Sequence, residues 1–148
     1  ILLLFGGGIA IAGGFEDSGL ALWLANRLTL FEGIAVLLLV LIVVASVNFM
    51  TEITSNLATT AMLLPVLAPM AVSMGINPYL LLVAATMAAS CAFMLPVATP
   101  PNSIGFGSGY LRIGDMVSKG FWMNLISIAV LCLAVRFLLP LLWNLEVT

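Results

Sequence analysis

The chain has 148 residues, of which 64% are hydrophobic and only 7% charged, with a formal net charge of −2. A soluble domain carries about 25% charged residues, so this composition, with a mean hydropathy of +1.30, excludes an ordinary soluble globule and points to an all-α integral membrane protein. Six acidic and four basic residues form no basic cluster for nucleic acid or anionic lipid, and histidine, the commonest general base, is absent.

The opening ILLLFGGGIAIAGG has no initiator Met, no basic n-region and no cleavage pattern. It starts inside an apolar stretch too short to span, so residues 1–12 read as the end of a transmembrane helix, and the chain as a fragment or half of a larger membrane protein. Gly6, Gly7 and Gly8 suit close helix approach, and no Lys-Ser/Thr follows them to make a phosphate loop. Residues 13–32 read as an interfacial amphipathic arm, with Trp23 and Arg27 as anchors, the alternative being a plain connecting loop with some helix.

Residues 33–74 read as a re-entrant hairpin with its tip near residues 51–60, TEITSNLATT. The first arm is almost wholly Ile, Leu, Val and Ala. The apolar run 61–72 after the tip covers about 18 Å, too little for a hydrocarbon core of about 30 Å. Pro65 and Pro69 interrupt it as membrane helices tolerate. Gly75, Ile76, Asn77 and Pro78 make a turn.

Residues 78–110 read as a broken transmembrane helix: a long apolar piece over 79–97, a break near 98–102, and Ser103 to Tyr110 as a resumed half-helix or a loop. Arg112 to Lys119 reads as a charged connection, and residues 114–143 contain the final transmembrane helix, closed by Pro140 and Trp143. The positive-inside bias of Arg112 and Lys119 places them in the cytoplasm and the hairpin mouth outside. Cys91 and Cys132, each in an apolar run without a CxxC pair, read as small buried hydrophobes. Arg136 is expected to snorkel to the interface.

The two breaks carry the chemistry. Thr51, Thr54, Ser55, Asn56, Thr59 and Thr60 offer hydroxyl and amide groups at the tip. Residues 98–102 offer carbonyls that helix bonding cannot use, because Pro100 and Pro101 have no N–H. Hard oxygens without a carboxylate suit a monovalent cation such as sodium. Half-helices starting after each break point free N–H groups at the same place and favour an anion. Together they describe a sodium-coupled anion transporter built on discontinuous helices. The plain alternative is a pair of Pro- and Ser-containing kinks in a helical bundle. Glu52, an acid at membrane depth, is a functional candidate by default, for proton coupling; the favoured structural reading is a hydrogen bond within the tip or a pair with a basic residue in the missing half. With no His, no paired carboxylates and no nucleotide motif, an enzyme has nothing to stand on.

Three segments, TEITSNLATTAMLLPV, SCAFMLPVATPPNSIGF and GDMVSKGFWMNLI, resemble the divalent anion/sodium symporters, and the likeness extends over essentially the whole chain. The resemblance implies the C-terminal half of such a transporter: one inverted-repeat half with a re-entrant helical hairpin and a discontinuous helix. It further implies a dimer working by an elevator movement, multi-pass in the cell (inner or plasma) membrane. Thr51, Ser55, Asn56 and Ala98 would line one sodium site, and Ser55, Asn56, Leu57, Thr99 and Pro100 would contact or border the substrate. The partners implied are a small divalent anion (succinate, malate, fumarate, citrate or sulfate), the lipid bilayer, an N-terminal half and a second copy. Leu57 stands where the family often has Thr, so one hydrogen bond to a carboxylate, worth about 1.5–3 kcal/mol, is lost. Gly105 stands where a larger apolar residue is common, which predicts a looser half-helix. A sodium-independent dicarboxylate exchanger and a non-transporting membrane subunit are the alternative functions.

Overall fold

A computed structural model describes residues 34–143, together with Gly6, Ala10, Gly14, Asp17, Ser18, Gly19 and Trp23. The expected helix end over 1–12 and interfacial arm over 13–32 lie largely outside the described residues. Among those described, the secondary structure is helical with no strand. The helices are α1 (Ile34–Met50), α2 (Asn56–Ser73), α3 (Pro78–Ala89), α4 (Pro100–Gly107) and α5 (Ile113–Leu133). A π-helical turn (Ala134–Leu138) then leads into α6 (Leu139–Trp143).

α1 has no polar stripe, the mark of a helix surrounded by apolar material. Leu39, Val40, Val43, Val44 and Val47 form its buried face, while Leu37, Leu38, Leu41 and Ile42 stay exposed on the other. α3 is the hub. Its Leu80, Leu81, Ala84, Ala85, Ala88 and Ala89 are all buried, and the alanines let α1, α2 and α5 come close. The arms α1 and α2 both lean on α3 and meet each other chiefly at their connecting turn. Gly75, at φ 69°, turns the chain out of α2; Asn77 then caps α3 by accepting from Tyr79 N at 3.1 Å, with Pro78 as first helical residue.

Four boundaries differ from expectation. The turn at the tip is confined to residues 51–55, because Asn56, Thr59 and Thr60 are already helical. This makes α2 an 18-residue helix of about 27 Å, one of two long and apolar enough to cross a membrane, rather than a stub. α3 stops at Ala89, so the break runs over 90–99 and not 98–102. Pro96 is one cause: it has no N–H for the carbonyl of Ala92, and it disfavours helical backbone at Leu95.

α5 begins at Ile113, so Asp115 and Lys119 lie in its first turns rather than in a connection. The second long apolar helix, Ile113–Leu141, has 29 residues and is about 43 Å long, more than a bilayer core needs. Pro140 does not close it. The π turn just before absorbs the lost hydrogen bond and the helix runs on to Trp143. A Cβ at Gly105 in α4 would lie 3.7 Å from Leu111 Cδ1, an ordinary van der Waals contact. Cys91 and Cys132 are free thiols, half-buried against the core rather than enclosed by it.

Candidate functional site

The tip is shaped by its own hydroxyls. Thr54 Oγ1 bonds Met50 O at 2.9 Å and lies 2.6 Å from Thr59 Oγ1, and Thr60 Oγ1 bonds Asn56 O at 2.8 Å. Ser55 is extended (φ −66°, ψ 135°) and exposed; it is the N-cap of α2, yet its side chain makes no capping bond. Leu57, in the first turn, is 74% exposed.

Thr51 is fully buried and reaches two ways. Its Oγ1 lies 2.7 Å from Asn56 Oδ1 and 2.9 Å from the carbonyl of Ala89, the last residue of α3. A hydroxyl has one proton to donate and so cannot satisfy both oxygens at once.

Long-range side-chain bonds take the place of helix bonds across the break. Glu52, only 3% exposed, sends its carboxylate from the tip into residues 93–95. Oε1 accepts from Phe93 N at 2.7 Å, Met94 N at 3.0 Å and Asn124 Nδ2 at 2.7 Å. Oε2 accepts from Met94 N at 3.0 Å and Leu95 N at 3.1 Å. Among the described residues the carboxylate bonds to neither the tip nor a base, and the expectation of a hydrogen bond within the tip is corrected: three consecutive N–H groups of the break form an anion cradle.

Side-chain amides and a hydroxyl hold four carbonyls of the break. Asn48 Nδ2 donates to Cys91 O at 2.8 Å and to Ser127 Oγ at 3.2 Å, and Ser127 Oγ donates to Asn124 O at 2.8 Å. Asn102 Nδ2 donates back to Ala92 O at 3.0 Å and Leu95 O at 3.1 Å, and Ser103 Oγ to Pro96 O at 2.6 Å. Among the described residues, Asn48 Oδ1 and Asn124 Oδ1 are buried with no hydrogen-bond partner, each at a cost of about 1–3 kcal/mol. Gly120 completes the seat: a Cβ there would lie 2.6 Å from Met94 Cα and closer still to Phe93 O, so only glycine lets α5 approach the break.

The structure joins Thr51 and Asn56 directly. Ala98 is buried in the turn at the end of the break, its N–H donating to Leu95 O at 3.2 Å. Thr99 caps α4 by accepting from Asn102 N at a long 3.4 Å, and Pro100, its first residue, is exposed. The described hydrogen bonds from the tip to the end of α3 and the break run through Thr51 and Glu52, not through Ser55, Leu57, Thr99 or Pro100. Sequence reasoning missed Asn48, Asn124, Ser127, Gly120 and the side chain of Asn102. A lone amide in an apolar run, as at Asn48 and Asn124, is the signal that could have found two of them.

Known proteins resemble this chain along its length. Residues 1–144 match the family described as the sodium:sulfate symporter transmembrane region. A sodium-dependent dicarboxylate transporter, SdcS, of Staphylococcus saprophyticus is 53% identical over 148 residues, covering 100% of this chain and 28% of the relative. The transporters of the same name from two strains of Staphylococcus aureus are 48% identical over 147 residues, 99% of this chain and again 28% of theirs. The chain thus spans less than a third of the length of these relatives, which are transporters rather than enzymes. With its three motif segments all inside the matched region, the chain belongs to the sodium:sulfate symporter family.

Proposed function

We propose that this chain forms part of a sodium-coupled secondary transporter of di- or tricarboxylates or a similar small divalent anion, working by an elevator movement in the cell membrane. The observation that carries the reading is the pair Thr51 Oγ1 and Asn56 Oδ1, 2.7 Å apart at the buried end of the tip, with Ala89 O at 2.9 Å from the same hydroxyl. Two acceptor oxygens compete for the one hydroxyl proton there, and a monovalent cation relieves that competition without needing a carboxylate. Thr51, Ser55, Asn56 and Ala98 are the proposed sodium ligands. Sodium is a co-substrate here, not a resident cofactor.

Ser55, Asn56, Leu57, Thr99 and Pro100 are the proposed anion contacts. Ser55 leaves its hydroxyl out of capping, so the first N–H groups of α2 remain for a carboxylate or sulfate oxygen. Leu57 presents methyl groups to that space, which favours the carbon chain of a dicarboxylate over a second hydrogen bond. The re-entrant hairpin, the discontinuous helix, a second inverted repeat and a dimer belong to the same proposal. The names of the relatives, sodium-dependent dicarboxylate transporters, support it.

The test is uptake of labelled succinate, citrate and sulfate into proteoliposomes by the longest natural polypeptide containing this segment, with and without an inward sodium gradient. Uptake should require sodium and vanish in Asn56→Ala. Uptake that ignores sodium and needs counter-substrate inside would mean exchange. No uptake by a well-folded protein would mean a non-transporting subunit.

A further inference from the structure

Glu52 takes no part in the proposed sodium or anion contacts, yet its carboxylate is buried and accepts from four N–H donors on two different elements. We propose that Glu52 is a positioning residue that locks the hairpin tip to the helix break, keeping the sodium ligands of the two in register. This rests on the transport reading above.

The mechanical path is short on both sides. Toward the tip, Glu52 is bonded in the chain to Thr51, whose Oγ1 is 2.7 Å from Asn56 Oδ1. Toward the break it grips Phe93, Met94 and Leu95. The carbonyl of Leu95 in turn receives Ala98 N at 3.2 Å and Asn102 Nδ2 at 3.1 Å. A shift of the carboxylate therefore moves Thr51 at one end and Ala98, with the start of α4, at the other.

The chemistry requires a carboxylate of this length. Two carboxylate oxygens offer about four acceptor sites, and all are committed to N–H groups. None is left for a cation or for proton transfer, so Glu52 acts through the residues it holds. Glutamine would turn an NH2 group against backbone N–H donors. Aspartate, shorter by one methylene of about 1.5 Å, would reach fewer of them. Asn124 is a separable part of the lock: its loss leaves the bonds from the three backbone N–H groups in place.

The experiment uses the same natural polypeptide in proteoliposomes, with Glu52→Gln, Asn124→Ala and Asn56→Ala beside the wild type. It reads sodium half-saturation, anion KM at saturating sodium and turnover, with sodium-dependent thermal stabilisation in detergent as a readout apart from uptake. Glu52→Gln should raise sodium half-saturation about ten-fold or more, the equivalent of one lost charged hydrogen bond, with the anion KM at saturating sodium nearly unchanged. Asn124→Ala should move sodium half-saturation the same way by about two- to five-fold, a smaller effect because the three backbone N–H groups still hold the carboxylate in place.

A folded Glu52→Gln protein with sodium half-saturation close to wild type overturns the inference. Where Glu52→Gln does not fold, an unmoved value in Asn124→Ala overturns it instead. Sodium-driven wild-type uptake beside indifferent variants sinks this inference alone. Sodium-independent wild-type uptake sinks the transport reading beneath it.

Discussion

At the scale of single residues, polar groups inside an apolar bundle are where this chain departs from a generic membrane helix pair. Asn48, Thr51, Glu52, Thr59 and Asn124 are buried, and all but Thr59 serve the seam between tip and break. An intramembrane carboxylate is costly unless donors surround it, and here the break itself provides them. Gly120 is the steric counterpart. Its substitution by Ala would push a methyl group into the Phe93–Met94 backbone, which cannot swing aside as a side-chain end can. We expect Gly120→Ala to destabilise the folded protein by about 1–3 kcal/mol and to weaken sodium affinity with it, because residues 93 and 94 are held by Glu52. Thermal unfolding in detergent measures the first effect and sodium titration of uptake the second. Gly105→Ala, at a site with 3.7 Å of clearance, is the control expected to leave both within error.

At the scale of elements, what was legible in the sequence depended on how local its cause was. The turn at Gly75 to Pro78 follows from a left-handed glycine and an Asn cap two residues from its acceptor, and it reads directly from the residues. The existence of two polar interruptions was legible for the same reason: Asn56 and the paired Pro100 and Pro101 stand out in apolar surroundings. The length of the second interruption was not. α3 could continue past Ala89 on hydrophobicity alone. It stops because Glu52 and Asn48, 41 and 43 residues earlier, take up polar groups of Phe93 and Cys91. Pro96 is the one local hint, and the paired Pro100 and Pro101 just after it are the more conspicuous signal. The tip narrowed for the opposite reason. Thr59 and Thr60 look like loop residues, but they bond within or just ahead of α2 and leave the helix intact. Of the candidate site, Thr51 and Asn56 were named from sequence and meet. The residues that brace them were not, since Asn124 and Gly120 act across the fold.

At the scale of the whole molecule, the outward faces are as apolar as the core. Trp122, Ile126, Val130, Leu133, Phe137 and Leu141 make an exposed stripe along α5 and its continuation, a surface that bilayer or further protein must cover. The length of Ile113–Leu141 lets its first turns, with Asp115 and Lys119, stand clear of the hydrocarbon. The proposed orientation makes a check possible. With Cys91 and Cys132 replaced, a single cysteine at Ser108 should react with a membrane-impermeant thiol reagent only from the cytoplasmic side, and one at Met74 only from outside. Reaction of both from the same side would rule out a crossing by α3 and α4 together.

The grip of Glu52 on residues 93–95 also bears on how the chain is made. The carboxylate leaves the ribosome before the amides it will bind, and Asn124 follows last, so the unwound stretch has no fixed shape until three separate pieces have met. Nothing inside residues 78–107 alone supplies an acceptor for those three N–H groups except the carbonyls of Ala89, Ser90 and Cys91, one helical turn back. An isolated peptide of that segment in micelles should wind further than the 12 and 8 helical residues it has in the folded chain, stopping only near Pro96, and circular dichroism would register the excess. The bend, in other words, is authored from a distance: transplanted by itself into another protein, this stretch would arrive as a longer helix and leave its binding geometry behind.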